Sequence, residues 1–197
     1  SAETVILFRK KHSSSTFTAE ATAFGMQVKD WILWQPTSQG FWSAENLQNV
    51  KVKGAEMQIT YKYLCKHWQW HLWGNYSLTA SQITSLKNDV LGRFTNKFLP
   101  YTPLQRLSGA GNITYKSWQA SLNAHFTDQR FTDLDNSMRL KSFSLFDTGL
   151  QKTFCYKQNQ FDISFRINNV LNKQYQNVQN QWMPKRNYQA GFIWTLL

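Results

Sequence analysis

The sequence predicts an all-β fold and, within that class, a transmembrane antiparallel β-barrel to which this chain contributes about nine strands. Three observations predict it. Apolar and polar residues alternate with period two over long stretches, as a strand with one dry and one wet face requires. Several stretches run well past the ~5–6 residues usual in soluble sheets. Short and long connections alternate between them, the pattern of barrels with tight turns at one end and large loops at the other.

The first strand is read over Thr4–Lys10 and closed by Lys11-His-Ser-Ser14. The second covers Thr16–Leu33 and is followed by a loop from Gln35 to Asn46 that carries Pro36, Gly40, Phe41 and Trp42. The third, Val50–Leu64, turns at Cys65-Lys-His67 into Trp68–Ile83. In that fourth strand Trp68, Trp70, Leu72, Gly74, Tyr76, Leu78 and Ala80 share one face, and Gln69, His71, Trp73, Asn75, Ser77, Thr79 and Ser81 the other. A long connection from Thr84 to Pro103 precedes Leu107–Tyr115, which turns into Trp118–Phe126. After a loop near Asp128–Lys141 come Phe143–Tyr156 and a turn at Lys157-Gln-Asn159. The last two strands are Phe161–Ile167, with Phe161, Ile163, Phe165 and Ile167 opposed to Asp162, Ser164 and Arg166, and Tyr188–Leu196.

Composition supports the membrane setting. No run approaches the eighteen apolar residues of a membrane helix, and mean hydropathy is negative, which alternating strands allow. Aromatics make up 16% of the chain, with nine Trp, a residue at home where apolar and aqueous phases meet. Trp31, Trp34, Trp68, Trp70, Trp118 and Trp194 fall near strand ends, as an interfacial girdle requires. The net charge of +11 is spread along the chain rather than gathered on a nucleic-acid module, so an anionic membrane face is the expected partner and nucleic acid is not. Cys65 and Cys155 have no metal or redox spacing and read as unpaired. Single-chain bacterial barrels use an even number of strands, so nine imply that this chain opens within a surface loop, as part of a longer polypeptide.

Several segments, in order, resemble the C-terminal part of a TonB-dependent outer-membrane receptor. They are Phe24–Trp34 with its Val28-Lys-Asp-Trp-Ile-Leu-Trp34 end; Gly40-Phe-Trp-Ser-Ala-Glu-Asn46 followed by Val50-Lys-Val-Lys-Gly-Ala-Glu56; and Leu99-Pro-Tyr-Thr-Pro103. Near the end stand Asn168-Asn-Val-Leu-Asn-Lys-Gln-Tyr175 and Met183-Pro-Lys-Arg-Asn-Tyr188, the latter with Lys185 where the family has Gly. Leu196 falls where the family carries its terminal aromatic, with Leu197 beyond it. The resemblance implies a roughly 22-stranded barrel with a plugged lumen. Residues 1–197 would be the C-terminal portion of that single barrel domain, with the N-terminal strands and the plug in another part of the polypeptide. It implies active uptake of a scarce nutrient at the bacterial outer membrane: cobalamin first, with siderophores and haem close behind. The implied partners are the rest of the barrel with its plug, the TonB complex acting through that plug, lipopolysaccharide, and a surface lipoprotein lid.

Residue by residue, no catalytic or metal constellation is present, and neither an enzyme nor a cofactor is expected. Loop aromatics Trp34, Phe41, Trp42, Tyr101 and Trp182 are candidates to stack on a ligand in the outer vestibule, with loop packing or an interface girdle as the alternative. His71, His125, Asp162 and Arg166 are expected to line the lumen, the histidines as hydrogen-bonding groups, the last two as partners for the plug or neighbouring strands or as a wet charge lining. Lys51 and Lys53 share the parity of Met57, Ile59 and Tyr61 and should point outward, toward lipopolysaccharide phosphates or as part of a solvated rim. Asp133 and Asp135 fall in a surface loop, as a cation pair or as solvated charges. A passive porin fits the alternation but not the ordered segments; a soluble basic β-barrel is the more distant alternative.

Overall fold

Backbone donors and acceptors that face lipid or a wet lumen must pair between strands, so a chain of alternating segments resolves into one hydrogen-bonded sheet. The computed structural model describes residues 1–36, 39–85 and 91–196, and the side chains of all of these except 33, 35, 36 and 45–48. In chain order come β1 (Ala2–His12), β2 (Ser15–Pro36), β3 (Trp42–Cys65), β4 (Trp68–Ser85), β5 (Gln105–Tyr115) and β6 (Trp118–Thr127). A small hairpin follows, β7 (Arg130–Phe131) with β8 (Arg139–Leu140), then β9 (Phe143–Tyr156) and β10 (Asn159–Asn168). A second small hairpin, β11 (Gln176–Val178) with β12 (Gln181–Trp182), precedes β13 (Asn187–Leu196). Nine of these strands form a single antiparallel meander in the order β1-β2-β3-β4-β5-β6-β9-β10-β13, with β1 and β13 at its edges. There is no helix among the described residues.

The cross-strand register decides which residues share a face. On one face, Phe17, Tyr61 and Leu72 stand in line, as do Ala19, Ile59 and Gly74, then Ala21, Met57, Tyr76, Leu107 and Phe126. Phe146, Leu150, Phe154, Ile163, Phe165, Phe192 and Trp194 continue it. The opposite face carries Thr60, Gln58, Asn75, His71, Asn112, Ser121, Gln119, Gln151, Ser164 and Gln189. Two polar hollows lie on this second face, one around Lys62, His71 and Asn112, the other around Asn123, Gln151, Ser164 and Arg166. The polar face is therefore the inward one and the apolar face the outward one, the arrangement of a membrane barrel and the inverse of a soluble one.

The two ends of the sheet differ. At one end four turns of two residues link β1–β2, β3–β4, β5–β6 and β9–β10. Three of them open on a lysine in the left-handed region, Lys66, Lys116 and Lys157, which suits the twist of the flanking strands. Outward-facing aromatics collect here. Trp68 lies 4.5 Å from Tyr115 and packs edge-on to Trp70, Lys152 caps the ring of Trp118 at 4.7 Å, and the Trp194 indole donates to Asn159 Oδ1 at 2.8 Å. At the other end lie the long connections.

Two expectations are corrected at that end. The loop placed at Gln35–Asn46 is mostly strand: β2 runs to Pro36 and β3 starts at Trp42, with Trp34 opposite Ala44 and Pro36 opposite Trp42. Pairing of the β-favouring Trp31–Trp34 run outweighs the turn-forming Gly, Ser and Asn that suggested a loop. The loops before β9 and β13 also contain the two small hairpins, too short to show a period in sequence. Residues 37, 38 and 86–90 of the expected loops lie outside the described residues, as do Leu197 and the side chains of Glu45 and Asn46.

Candidate functional site

The long connections fold over the inward face rather than standing away from the sheet. Val50, Val52 and Ile83 on the wall and Leu99 in the β4–β5 connection form a buried apolar cluster, with Phe24, Trp31 and Leu134 packed against it. Burying this surface supplies the non-directional part of loop attachment. Hydrogen bonds supply the geometry. Phe98 N–H donates to Asn136 Oδ1 (2.7 Å), and Asn136 Nδ2 donates back to the Phe98 carbonyl (2.9 Å). The Tyr101 N–H donates to the Phe131 carbonyl at 2.7 Å, and Arg93 pairs with Asp135 at 3.3 Å. Arg130, only 5% exposed, donates from Nη2 to the carbonyls of Gln176 (2.6 Å) and Asn177 (3.2 Å), and its guanidinium lies over Phe143. The connections before β5, β9 and β13 are thus tied to one another.

The Asn-rich stretch after β10 is a folding device. Asn169 and Asn172 occupy the left-handed region (φ 52° and 53°), which Asn tolerates better than most residues. Asn169 Nδ2 donates to the carbonyls of Lys173 (2.8 Å) and Pro184 (3.4 Å), while its Oδ1 accepts from Lys173 N–H (2.8 Å). Its backbone N–H donates to Asp147 Oδ1 on the wall (2.7 Å). Asn172 Oδ1 accepts from Arg186 N–H, and Asn168 Nδ2 donates to Asn187 Oδ1. Tyr175 packs on Phe143 at 4.6 Å.

These ties shape a cleft of about 370 Å³ lined by Arg139, Lys141, Lys173, Tyr175 and Trp182, with Phe143 among its walls and no carboxylate in its lining. Of the aromatics expected at the vestibule, Trp182 lies here, on β12 and 69% exposed. Trp42 and Tyr101 meet elsewhere, with ring centroids 6.5 Å apart. Phe41 is exposed in the turn before β3, and Trp34 is exposed on the extended β2–β3 hairpin. The five do not form one cluster. Arg139, Lys141, Arg130 and Asn136 were not singled out in sequence, and Lys173 and Asn169 stood there only inside the Asn168–Tyr175 run with no role assigned; paired Asn residues beside a strand end were the available signal.

On the inward face, His71 lines one hollow beside Lys62 and Asn112, and His125 Nδ1 lies 3.2 Å from Ser108 Oγ. Asp162 accepts hydrogen bonds from Thr153 Oγ1, Gln160 Nε2 and Gln151 Nε2, within its own strand and its neighbour. Arg166 stands beside Gly149 and lines the second hollow. Asp133 and Asp135 serve the loop. Asp133 accepts from the Ser137 hydroxyl, Ser137 N–H and Met138 N–H, and Asp135 is held by Arg93. Burial alone would raise the Asp133 carboxyl, but those hydrogen bonds outweigh it and hold it below its ordinary value. Burial raises the Tyr101 phenol and lowers the Arg130 guanidinium, the latter helped by nearby Arg106. No three His, Cys, Asp or Glu side chains gather at metal-binding range among the described residues.

The family model for the TonB dependent receptor-like β-barrel matches residues 8–170, most of the chain. The chain belongs to the TonB-dependent receptor β-barrel family. It is an outer-membrane protein, and its nine-stranded sheet is part of such a barrel's wall. Solved structures agree on the fold. The siderophore receptor PiuA from Acinetobacter baumannii is 16% identical with a TM-score of 0.67, covering 98% of this chain and 28% of that one. The unliganded ferric citrate transporter FecA is 14% identical with a TM-score of 0.66, covering 98% and 31%. The ferric preacinetobactin receptor BauA from Acinetobacter baumannii is 12% identical with a TM-score of 0.64, covering 95% and 28%. The chain therefore spans less than a third of the length of these receptors. None of the curated proteins matches it.

Proposed function

We propose that this chain is the C-terminal part of the barrel of an active transporter that takes up a scarce nutrient such as cobalamin, a siderophore or haem. In this reading the chain supplies wall and outer vestibule, and the work is binding and gating rather than bond-making. A plug in the remainder of the polypeptide engages the TonB complex, and a surface lipoprotein lid is a further candidate partner. His71, His125, Asp162 and Arg166 line the lumen toward that plug.

Among these substrates an anionic metal chelate fits best, and the cleft beside β12 carries that preference. Arg139, Lys141 and Lys173 offer positive charge with no carboxylate in the lining, and Trp182 and Tyr175 offer ring faces. Cations attract the chelate's oxygen anions, and aromatic rings stack on planar donor groups. Trp42 and Tyr101 form a second aromatic pair at the same end of the sheet. Nothing in the family match or the related folds favours a passive porin.

The test is uptake by the full receptor in cells with and without TonB, using labelled ferric siderophores, cobalamin and haem in parallel. The expected result is TonB-dependent uptake of an anionic chelate, reduced about tenfold or more by Lys173→Ala with Trp182→Ala, the loss expected when a charge-assisted contact and a stacking contact go together. TonB-independent flux of small solutes would sink the transporter reading. Uptake confined to cobalamin would retain it and discard the anionic chelate.

A further inference from the structure

We propose that the outward face of β2–β4, at the level just below the long connections, seats a lipopolysaccharide molecule. Its phosphates meet Lys51 and Lys53, and an acyl chain lies in the groove beneath them.

The carboxylates of the wall keep to one face, while its lysines and arginines stand on both. From the tight turns up to the level of Lys29 and Asn49, the carboxylates of the nine wall strands are Glu3, Glu20, Glu56, Asp147 and Asp162. The register puts all five on the inward face. The outward face over the same span carries Lys10, Lys29, Lys51, Lys53 and Lys152 and no carboxylate. A cross-strand acid partner is the ordinary way to neutralise a strand lysine, and none is provided here. Lys152, at the turn end, is occupied by Ser117 Oγ and by the rings of Trp118 and Phe154. Lys51 and Lys53 are exposed, and among the described residues no hydrogen bond, ion pair or ring contact reaches their ammonium groups.

The surface under these lysines changes shape. Lower on the outward face large side chains, Met57, Ile59, Tyr76 and Leu107, stand among small ones, Ala19, Ala21 and Gly74. At the level of Lys53 they become Ala23, Gly25, Ala55 and Ala80, bordered by Leu78 and Leu104, and a groove of about 660 Å³ opens. Its lining is mostly apolar, and the charged residues in it are Lys53 and, from the edge strand β1, Glu3. An acyl chain fills such a groove, and a phosphate on the same molecule meets the charge above it.

Charge complementarity favours lipopolysaccharide over a phospholipid. Lys51 and Lys53 are two residues apart on one strand, ~6.6–6.8 Å along its axis. Lys29, opposite Asn49, stands diagonally across from Lys51. Two or three cations at one level suit a headgroup with more than one phosphate, whereas a phosphatidylglycerol offers one. The long-connection end of an outer-membrane barrel faces the exterior, where the leaflet is lipopolysaccharide.

The experiment uses the full receptor, extracted from outer membranes in mild detergent, with bound lipid counted by native mass spectrometry and by phosphate and fatty-acid analysis. The variants are Lys51→Ala with Lys53→Ala, Ala55→Trp to fill the groove, and Lys62→Ala as an inward-facing control; heat-modifiable gel mobility reports folding. Retained lipopolysaccharide is expected to fall about tenfold in the double lysine variant, as for loss of a charge-assisted contact. It should fall with Ala55→Trp as well, and stay unchanged in the control. Equal retention in all variants, an equal fall in the control, or retention of phosphatidylglycerol in its place overturns the proposal.

Discussion

Asn169 has few ways to be replaced. It is 5% exposed, sits at φ 52°, and joins Lys173, Pro184 and the wall residue Asp147 through four hydrogen bonds. Ala at this position loses the side-chain bonds and keeps the strained backbone, at a cost of about 1–3 kcal/mol. The cost is local, so Asn169→Ala should speed tryptic cleavage after Lys173, Lys185 or Arg186 by several-fold while the barrel keeps its heat-modifiable mobility. Unchanged cleavage would mean that the apolar contact of Tyr175 with Phe143 holds the loop alone. Asp133 sets a pH dependence. Its carboxyl is held below the ordinary value of 3.8, so it stabilises its turn above that value and ceases to do so as pH falls through its lowered one. Hydrogen-exchange protection of residues 133–138, corrected for intrinsic rate, should exceed that of Asp133→Asn at neutral pH. The difference should vanish only in strong acid, below about pH 4.

Among the elements, the wall depends on close approach at Gly54. Phe24 lies over it across the β2–β3 pair, and a Cβ there would meet Phe24 Cζ at 2.7 Å and the Leu78 carbonyl oxygen at 2.5 Å. Gly54→Ala should destabilise the folded barrel by about 1–3 kcal/mol. Adding Phe24→Ala should recover only part of this, because the backbone oxygen remains; urea midpoints of the full receptor measure both. The small hairpin β7–β8 holds the loop array through Arg130. Arg130→Met keeps much of the stem over Phe143 but removes both bonds to the β11 segment. Exchange protection of residues 176–182 should fall while that of the nine wall strands stays constant. A fall across the wall would show that the loops and wall unfold as one unit.

As a whole, the sheet has two unpaired edges among its described strands, β1 and β13, and an outward face of Leu, Ile, Phe and Trp. Such edges and such a face need further strands and a membrane to cover them. The isolated chain in detergent should therefore fail to show the heat-modifiable mobility of a closed barrel, and co-expression with the rest of the receptor should restore it. A folded, monomeric isolated chain would mean that nine strands can close alone. All nine wall strands were legible in the sequence because period-two alternation survives in strands bathed by two different media. The two-residue hairpins were not, because a period needs more residues than they have. The loop read at Gln35–Asn46 was misjudged because Gly, Ser and Asn speak for a turn only until a partner strand is present to pair with.

The sequence by itself determined the strand number of the wall, the face each wall residue takes, and hence the outward parity of Lys51 and Lys53 and the inward parity of Asp162 and Arg166. These follow from alternation, a local property read along the chain. Only the tertiary structure decided which loop residues meet: Trp42 with Tyr101, and Trp182 with Arg139, Lys141 and Lys173. It also decided that Arg130, Asn136 and Asn169 hold the loops together. Such contacts join residues as many as 59 positions apart through single hydrogen bonds and side-chain packing, and neither leaves a period in the chain.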